Sequence, residues 1–558
     1  MKLRASNTVI ACALLAVIAY LGLAGLGFNA FWDDEAQVAF FAKNLVKNGT
    51  LSGWDGRNLF AQNNGGILDQ YMRSINSQLD YLVCAASFRL FGFGTFAGRF
   101  PFVLIGLAYL AVFWLLLREE FGPGSRLPLY ALALTGLSYS FFLNARQCRY
   151  YSLILLFTVA LLLAYRRYLR LKRRRDLAVL GAAAAGLFYS HYLMGGCMLL
   201  SLGCVHLLFH RKATTPAMWK AFAVTIGAFC LAILPFVIGR KLWVRPDAPT
   251  FAPFLEARSN LLLWNFRDLD TVAFLPGFAV IGLAAFYLRY RRSDFFPASK
   301  TAQYAALTAF YVVFLSLFSI QPGKWYGWAG GLADIRYLLT VLPLCGVLLA
   351  VFVSTVERGL GTAAALAVTA VMLCTNMLCF NFGGGRFQWL LPAYVREAHV
   401  DYTTPFEAAV NFVNEHAAQD DIVYTAPEYC AYTIMYYCGD KVKLGGLLHP
   451  NTRLDRTAVE AFAPHLFDDA VYPDWVLCFG MSKSGFERLA HFSRDRYTYG
   501  CDTQQQCSYD RRLGSFWRDR TRPELPWHSF GADTDYDPDS QDIYAFRRRE
   551  RAGMAEGR

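Results

Sequence analysis

Apolar residues in this chain come in long unbroken runs. The stretch TVIACALLAVIAYLGLAGLGF at 8–28 and the stretch FPFVLIGLAYLAVFWLLL at 100–117 both come near the roughly 20 residues that carry a helix across a bilayer core. Barrel strands would alternate apolar and polar positions, so continuity of this kind calls for helices, whose backbone groups are satisfied internally. Similar runs recur at about 127–143, 150–166, 177–193, 194–210, 219–239, 271–289, 301–320, 336–355 and 361–381. The pattern predicts a polytopic α-helical membrane protein with about 11 transmembrane helices in residues 1–381.

Two regions break the pattern. The connection at about 29–99 is long for a loop between spans. It opens with a predicted helix from Glu35, where Val38, Phe41, Ala42 and Leu45 form an apolar face opposite Gln37, Asn44, Lys47 and Asn48. Gly49 ends that helix, which is expected to lie along the membrane surface. After residue 382, FEAAVNFVNEHAAQDDIVYTAPEY reads as a helix followed by a strand, and DWVLCFG as a second buried strand. Residues 382–558 are therefore expected to form an α/β domain with a frayed charged tail.

Composition agrees with the pattern. The chain is 55% hydrophobic and only 17% charged, where soluble chains run to about a quarter charged. A net charge of +12 could suggest nucleic acid. Its placement excludes that partner, because the basic residues crowd into short loops such as YRRYLRLKRRRD and LRYRRSD. Lys and Arg collect on the cytoplasmic side. With the N-terminus inside, the loops at 166–176, 211–220 and 289–292 all fall there. The loop at 29–99 and the C-terminal domain then lie outside. The first span lacks an A-x-A cleavage site and is read as a span. The 14 cysteines show no metal or redox spacing; Cys501 and Cys507 could close a short disulfide loop in an extracytoplasmic domain.

This topology gathers polar residues at the outer boundary: Asp33, Asp34 and Glu35; Arg146 and Arg149; His191 and Tyr192; Lys324; and Asp334, Arg336 and Tyr337. Arg146 and Arg149, three apart before the fourth span, would share a helix face beside free N–H groups, an arrangement suited to a phosphate. Asp34 followed by Gln37 fits a capping box, but one cap needs one acid and the chain places three. Three clustered acids also suit a divalent cation such as Mg²⁺ or Mn²⁺. GADTDYDPDSQD starts like a calcium loop, with Asp533, Asp535 and Asp537 at alternate positions. It then puts Pro538 at the turn glycine and Tyr544 at the bidentate Glu, so it reads as a solvated acidic loop.

These segments resemble a known family. WDDEAQVAFFAKNLVKNG is similar to the first outer loop of polyprenyl-phosphate-dependent glycosyltransferases of the GT-C type. That group includes protein O-mannosyltransferases of glycosyltransferase family 39, lipid A aminoarabinose transferases and rhizobial galacturonosyl transferases. FAGRFPFVLIGL (Arg99, Pro101), LNARQCRYYSLILLF, SHYL and DIRYLLTVLPL resemble further family segments in order. INSQLDYL stands where many relatives carry a Pro-Pro-Leu element, so acceptor identity does not transfer. The resemblance implies transfer of a sugar from a polyprenyl-phosphate donor to a hydroxyl of a glycolipid, polysaccharide or protein, outside a bacterial inner membrane. It implies Asp34 as general base with Asp33 or Glu35 assisting. Arg146, Arg149 and Arg336 would hold the donor phosphate, with His191, Tyr337 and Lys324 as further substrate contacts. On this reading the acids and the arginines share one outward-facing cavity.

Two other classes compete. A transporter or flippase of lipid-linked saccharides would want charges near mid-membrane. A non-enzymatic assembly subunit would not need acids and arginines at the same boundary.

Overall fold

The long apolar runs fold as helices. The computed structural model describes residues 2–61, 68–240, 298–319, 335–375, 389–446, 454–466, 472–479, 483–493, 497–505 and 543–550, apart from single positions, with short pieces of 258–269. In chain order the helices begin with α1 (Lys2–Leu23), α2 (Asp33–Asn48), α3 (Leu79–Phe91), α4 (Thr95–Phe121), α5 (Leu127–Gly136), α6 (Tyr139–Ala145) and α7 (Tyr151–Leu171). They continue with α8 (Arg174–Ser190), α9 (Tyr192–Phe209), α10 (Pro216–Arg240), α11 (Ala298–Phe318), α12 (Leu342–Leu360), α13 (Thr362–Cys374) and α14 (Leu391–Glu397). The C-terminal part holds α15 (Pro405–His416), β1 (Ile422–Ala426), α16 (Ala431–Cys438), β2 (Lys443–Leu444) and α17 (Arg456–Phe462). It closes with β3 (Trp475–Phe479), α18 (Lys483–Phe492), β4 (Tyr497–Gln505) and β5 (Ile543–Glu550).

Two compact units divide the chain. One comprises Met1–Ala24, Phe102–Ala398 and Asp519–Gly531; the other comprises Gly25–Pro101, His399–Arg518 and Ala532–Arg558. The boundary expected near residue 381 is thus only part of the division, because the long first loop groups with the C-terminal segment.

Among the described residues of the helical unit, with the start of α4 included, six helices are long and apolar enough to cross a membrane, seven if α5 and α6 form one bent span. The chain is a multi-pass membrane protein. The span expected at 271–289 lies outside the described residues. The run at 127–143, expected as one helix, is instead two helices bent by 56°. Ser138 causes the break: its hydroxyl accepts from Phe141 N (3.1 Å) and donates to Thr135 O (2.8 Å), capping α6.

Charges sort to helix ends. Glu119 and Glu120 close α4, and Arg166, Arg167 and Arg170 of α7 pair with them, Arg166 Nε reaching Glu120 at 2.8 Å. His210, just past α9, and Gln303 of α11 join the same network at 3.1 Å. The basic loops that begin at 166 and 211, which the charge rule assigns to one side, are therefore neighbours in space, and the third, at 289–292, lies outside the described residues.

The other unit is built on a five-stranded sheet of order β2-β1-β3-β5-β4. β1 pairs in parallel with β2 and β3, and β5 runs antiparallel to both β3 and β4. β3 is buried throughout, as an apolar run in a central strand should be. The helix-then-strand reading of 405–426 and the strand at Trp475 both appear in this sheet. The helix α2 departs from expectation. It is buried on nearly every side, including Gln37 and Asn44, and packs between α3 and α16. Gln37 Nε2 donates to Tyr81 OH (3.3 Å) and Asn44 Nδ2 to Ser52 O (2.8 Å), so these two members of its polar face meet protein where a membrane-surface helix would meet water, while Lys47 and Asn48 stay exposed. Gly49 ends it with φ 72°, as anticipated.

Candidate functional site

The acids begin α2 within the sheet-bearing unit. Trp32 is the N-cap and makes no side-chain cap bond, so the Asp34–Gln37 capping box does not form. The three carboxylates occupy the first turn, where the helix dipole favours negative charge. They differ sharply in environment. Glu35 is 1% exposed and takes a two-point grip from Arg99: Nε to Oε1 at 2.9 Å and Nη2 to Oε2 at 2.6 Å. Arg99 Nη1 also donates to Phe28 O at 2.8 Å and Nη2 to Ala30 O at 3.3 Å, tying the approach to the helix. Asp33 is buried, and its Oδ1 accepts the Asp34 backbone N–H at 2.7 Å. Asp34 alone of the three is not buried. Nearby, burial first, then the field of Glu428, Asp33 and Asp34, holds the Tyr432 phenol well above its usual pKa. Glu428 was not legible as part of this group in sequence; it arrives from a turn after β1.

Among the described residues no group of three or more His, Cys, Asp or Glu side chains is arranged to hold a metal ion. With Glu35 turned to Arg99, the acid triplet does not fit a three-carboxylate cation site.

The helical unit carries the second group. The segment between α6 and α7 is irregular, so Arg146 and Arg149 do not share a helix face as the spacing suggested. Arg146 is the C-cap residue of α6; its Nη1 donates to Leu21 O (3.2 Å), to Ala24 O (2.5 Å) and to Tyr394 OH (3.1 Å). That guanidinium closes the carbonyl end of α1. Arg149 goes elsewhere, over the ring of Tyr150 at 5.2 Å. Tyr150 is the N-cap of α7 and makes no side-chain cap bond, so no side chain of that residue competes for the helix's first N–H groups.

Three helix ends meet at that point. The ring of His191, between α8 and α9, lies 4.7 Å from Tyr150 and 5.1 Å from Tyr337, centroid to centroid. Arg336 and Arg149 both act electrostatically on Tyr150. His191 Nδ1 accepts from Met194 N at 3.4 Å and so caps α9. The structure thus gathers Arg149, Arg336, His191 and Tyr337, four residues expected at one boundary, and adds Tyr150. Lys324 and Asp334 lie outside the described residues, as do Cys507 and the acidic loop at 533–537. Chemically this is an aromatic-walled cationic seat at a helix N-terminus, suited to an anion.

No curated protein matches the chain by sequence. Residues 79–238 match the family model described as dolichyl-phosphate-mannose-protein mannosyltransferase. Among solved structures the fold is similar to ArnT from Cupriavidus metallidurans bound to undecaprenyl phosphate, at TM-score 0.53 and 12% identity over 96% of this chain and 97% of that chain. The apo form of ArnT is similar at TM-score 0.54 and 14% identity, covering 87% of this chain and 94% of that chain. The chain thus resembles the GT-C membrane glycosyltransferases in the family model that residues 79–238 match, and it shares its fold with ArnT.

Proposed function

We propose that the protein transfers a sugar from a polyprenyl-phosphate donor to an acceptor hydroxyl on the extracytoplasmic face of a bacterial inner membrane. The observation that carries this reading is the Arg149–Tyr150–His191–Tyr337–Arg336 group at the head of α7, in a fold similar to one solved with undecaprenyl phosphate.

The acceptor oxygen attacks the anomeric carbon, the bond from that carbon to the phosphate oxygen breaks, and the lipid phosphate leaves with the electron pair. The acceptor proton passes to a carboxylate. Asp34, the accessible member of its triplet, is the proposed base. Asp33 orients the Asp34 backbone and Glu35 holds Arg99, so both assist by position. Arg149 and Arg336 stabilise the charge that develops on the leaving phosphate, commonly the largest catalytic contribution. Arg146 supports that segment from behind. His191 and Tyr337 offer a polar edge and a ring face to the donor headgroup. One displacement of this kind inverts the anomeric centre.

The charged residues of the described spans sit at helix ends, which favours surface chemistry over a mid-membrane transport path. The test is turnover by purified protein of a panel of undecaprenyl-phosphate-linked sugars against glycolipid, polysaccharide and protein acceptors, with EDTA or with added Mg²⁺ or Mn²⁺. Asp34→Asn should lose transfer by at least about 10²-fold while still binding undecaprenyl phosphate. Normal turnover by that variant removes the base assignment, and no turnover by the parent across the panel removes the reading.

A further inference from the structure

The segment that delivers the acids is held from two sides. Trp32 enters α2 in extended backbone, at φ −78° and ψ 172°, and makes no side-chain cap bond at the helix start. Arg99 holds the carbonyls of Phe28 and Ala30 just before it. A second constraint comes from α16, whose Thr433 lies 402 residues after Phe31 in the chain.

Thr433 Oγ1 donates to Phe31 O at 2.8 Å, and both residues are fully buried. The Phe31 N–H donates to the Tyr437 hydroxyl at 3.1 Å, and that hydroxyl shares a 2.8 Å bond with Thr95 Oγ1. Both main-chain polar groups of Phe31, two positions before Asp33, are thus satisfied by side chains of one short helix. Its neighbour Tyr436 donates to Phe93 O at 2.6 Å, and the Tyr436 carbonyl accepts from Lys43 Nζ at 3.2 Å. The Phe31 ring meets Tyr436 edge-on at 5.3 Å. It also lies so close to Gly98 that a Cβ there would stand 2.4 Å from Phe31 Cζ. Ring and backbone of Phe31 are both fixed.

We infer that α16 is a clamp by which the C-terminal segment sets the position of the acid triplet, with Thr433 and Tyr437 as positioning residues for the proposed transfer. A buried main-chain group left without a partner costs about 1–3 kcal/mol, so Phe31 does not drift from these two hydroxyls at little cost. Because Phe31 leads directly into the first turn of α2, the clamp fixes where the Asp34 carboxylate stands. A base displaced by about 1 Å loses on the order of 10²-fold in rate. This assigns the C-terminal segment a part in catalysis that its sheet alone would not suggest.

The inference rests on Asp34 being the base, and its test separates the two. In full-length protein, Thr433→Val and Tyr437→Phe remove the hydroxyls while keeping shape. Together they should lower kcat by about 10–100-fold with donor KM within about twofold, and Thr433→Ser should restore kcat in the Tyr437-intact background. Amide hydrogen exchange in the peptide spanning 28–35 should quicken by about tenfold in the double variant, with peptides of α7 and α12 unchanged. Parental kcat and parental exchange in the double variant would overturn the clamp. So would a uniform rise in exchange across the protein that Thr433→Ser does not reverse. If Asp34→Asn is silent while the clamp variants turn over normally, the clamp fails alone; if Asp34→Asn is active, the base assignment fails first.

Discussion

Arg99 grips Glu35 with two parallel hydrogen bonds, at 2.9 and 2.6 Å, in a site where neither side chain is more than 8% exposed. A buried pair of this kind contributes little net stability against an apolar replacement of both partners, but removing one partner leaves a buried charge. Arg99→Leu is expected to destabilise the protein by about 3–5 kcal/mol, and Arg99→Lys by less, since an ammonium keeps the charge but cannot reproduce the fork. The paired Arg99→Leu, Glu35→Leu protein should recover much of the loss in thermal unfolding. Transfer should stay impaired in that double variant, because the carbonyls of Phe28 and Ala30 lose their donor. Single and double variants with equal melting temperatures would contradict this assignment.

Arg146 and Arg149 look equivalent in sequence and separate in space. Arg146 donates to two carbonyls at the end of α1 and to Tyr394, whereas Arg149 lies over Tyr150 beside His191. Arg146→Leu should therefore act on stability, and Arg149→Gln on binding. For Arg149→Gln we expect undecaprenyl phosphate to bind about tenfold or more weakly with little change in melting, the loss of one hydrogen bond to a charged group. Binding titrations alongside thermal unfolding check both; a reversed pattern would exchange the two roles.

What the sequence disclosed and what it hid follow from range. The spans expected at 100–117, 150–166, 194–210, 219–239, 301–320 and 336–355, the helix at 405–416 and the strands at Ile422 and Trp475 depend on runs of residues close in the chain, and those were legible. So was the common boundary of Arg149, His191 and Tyr337, since hydropathy and basic loops fix which helix ends lie together. The break at Ser138 was hidden because LTGLSYSFFL is apolar enough to read as one helix; a hydroxyl that caps is invisible to hydropathy. The surroundings of α2 were hidden for a deeper reason. Gln37 and Asn44 look solvent-facing by period, yet Tyr81 and Ser52 supply their partners from further along the chain. Thr433 and Tyr437 gave no local signal at all.

Stability should also fall in acid through His465. Burial first, then the Lys443 and Arg57 charges, pushes its imidazole down to about 4, and its Nε2 is buried without a hydrogen-bond partner. The folded value lies below the unfolded value of about 6.5. Above that pH both states are neutral and His465 contributes nothing to the pH dependence. Between pH 6.5 and 4 the unfolded chain takes up a proton that the folded chain refuses, so stability drops, by about 2 kcal/mol at pH 5. Below pH 4 this part of the loss levels off. Thermal unfolding at pH 7 and pH 5 should show the drop in the parent and a smaller one in His465→Leu. An equal drop in both would place the acid sensitivity elsewhere.

Gly346 of α12 lets that helix touch α5. A Cβ at this position would stand 2.2 Å from Thr135 Oγ1, well inside contact distance, but 3.6 Å from Thr135 Cβ, an ordinary contact. Thr135 is 1% exposed, and its hydroxyl oxygen makes no hydrogen bond in that interface. The obstacle to a larger residue is therefore one atom. Gly346→Ala alone should cost about 1–3 kcal/mol through overpacking. Thr135→Ala alone should be neutral or slightly stabilising, because it removes a buried hydroxyl that has no partner. The two changes touch the same atom pair, so they should not add: the double variant should melt near the parent. Thermal unfolding of the four proteins in detergent decides the matter. Additive losses would mean that α5 and α12 approach each other through other contacts.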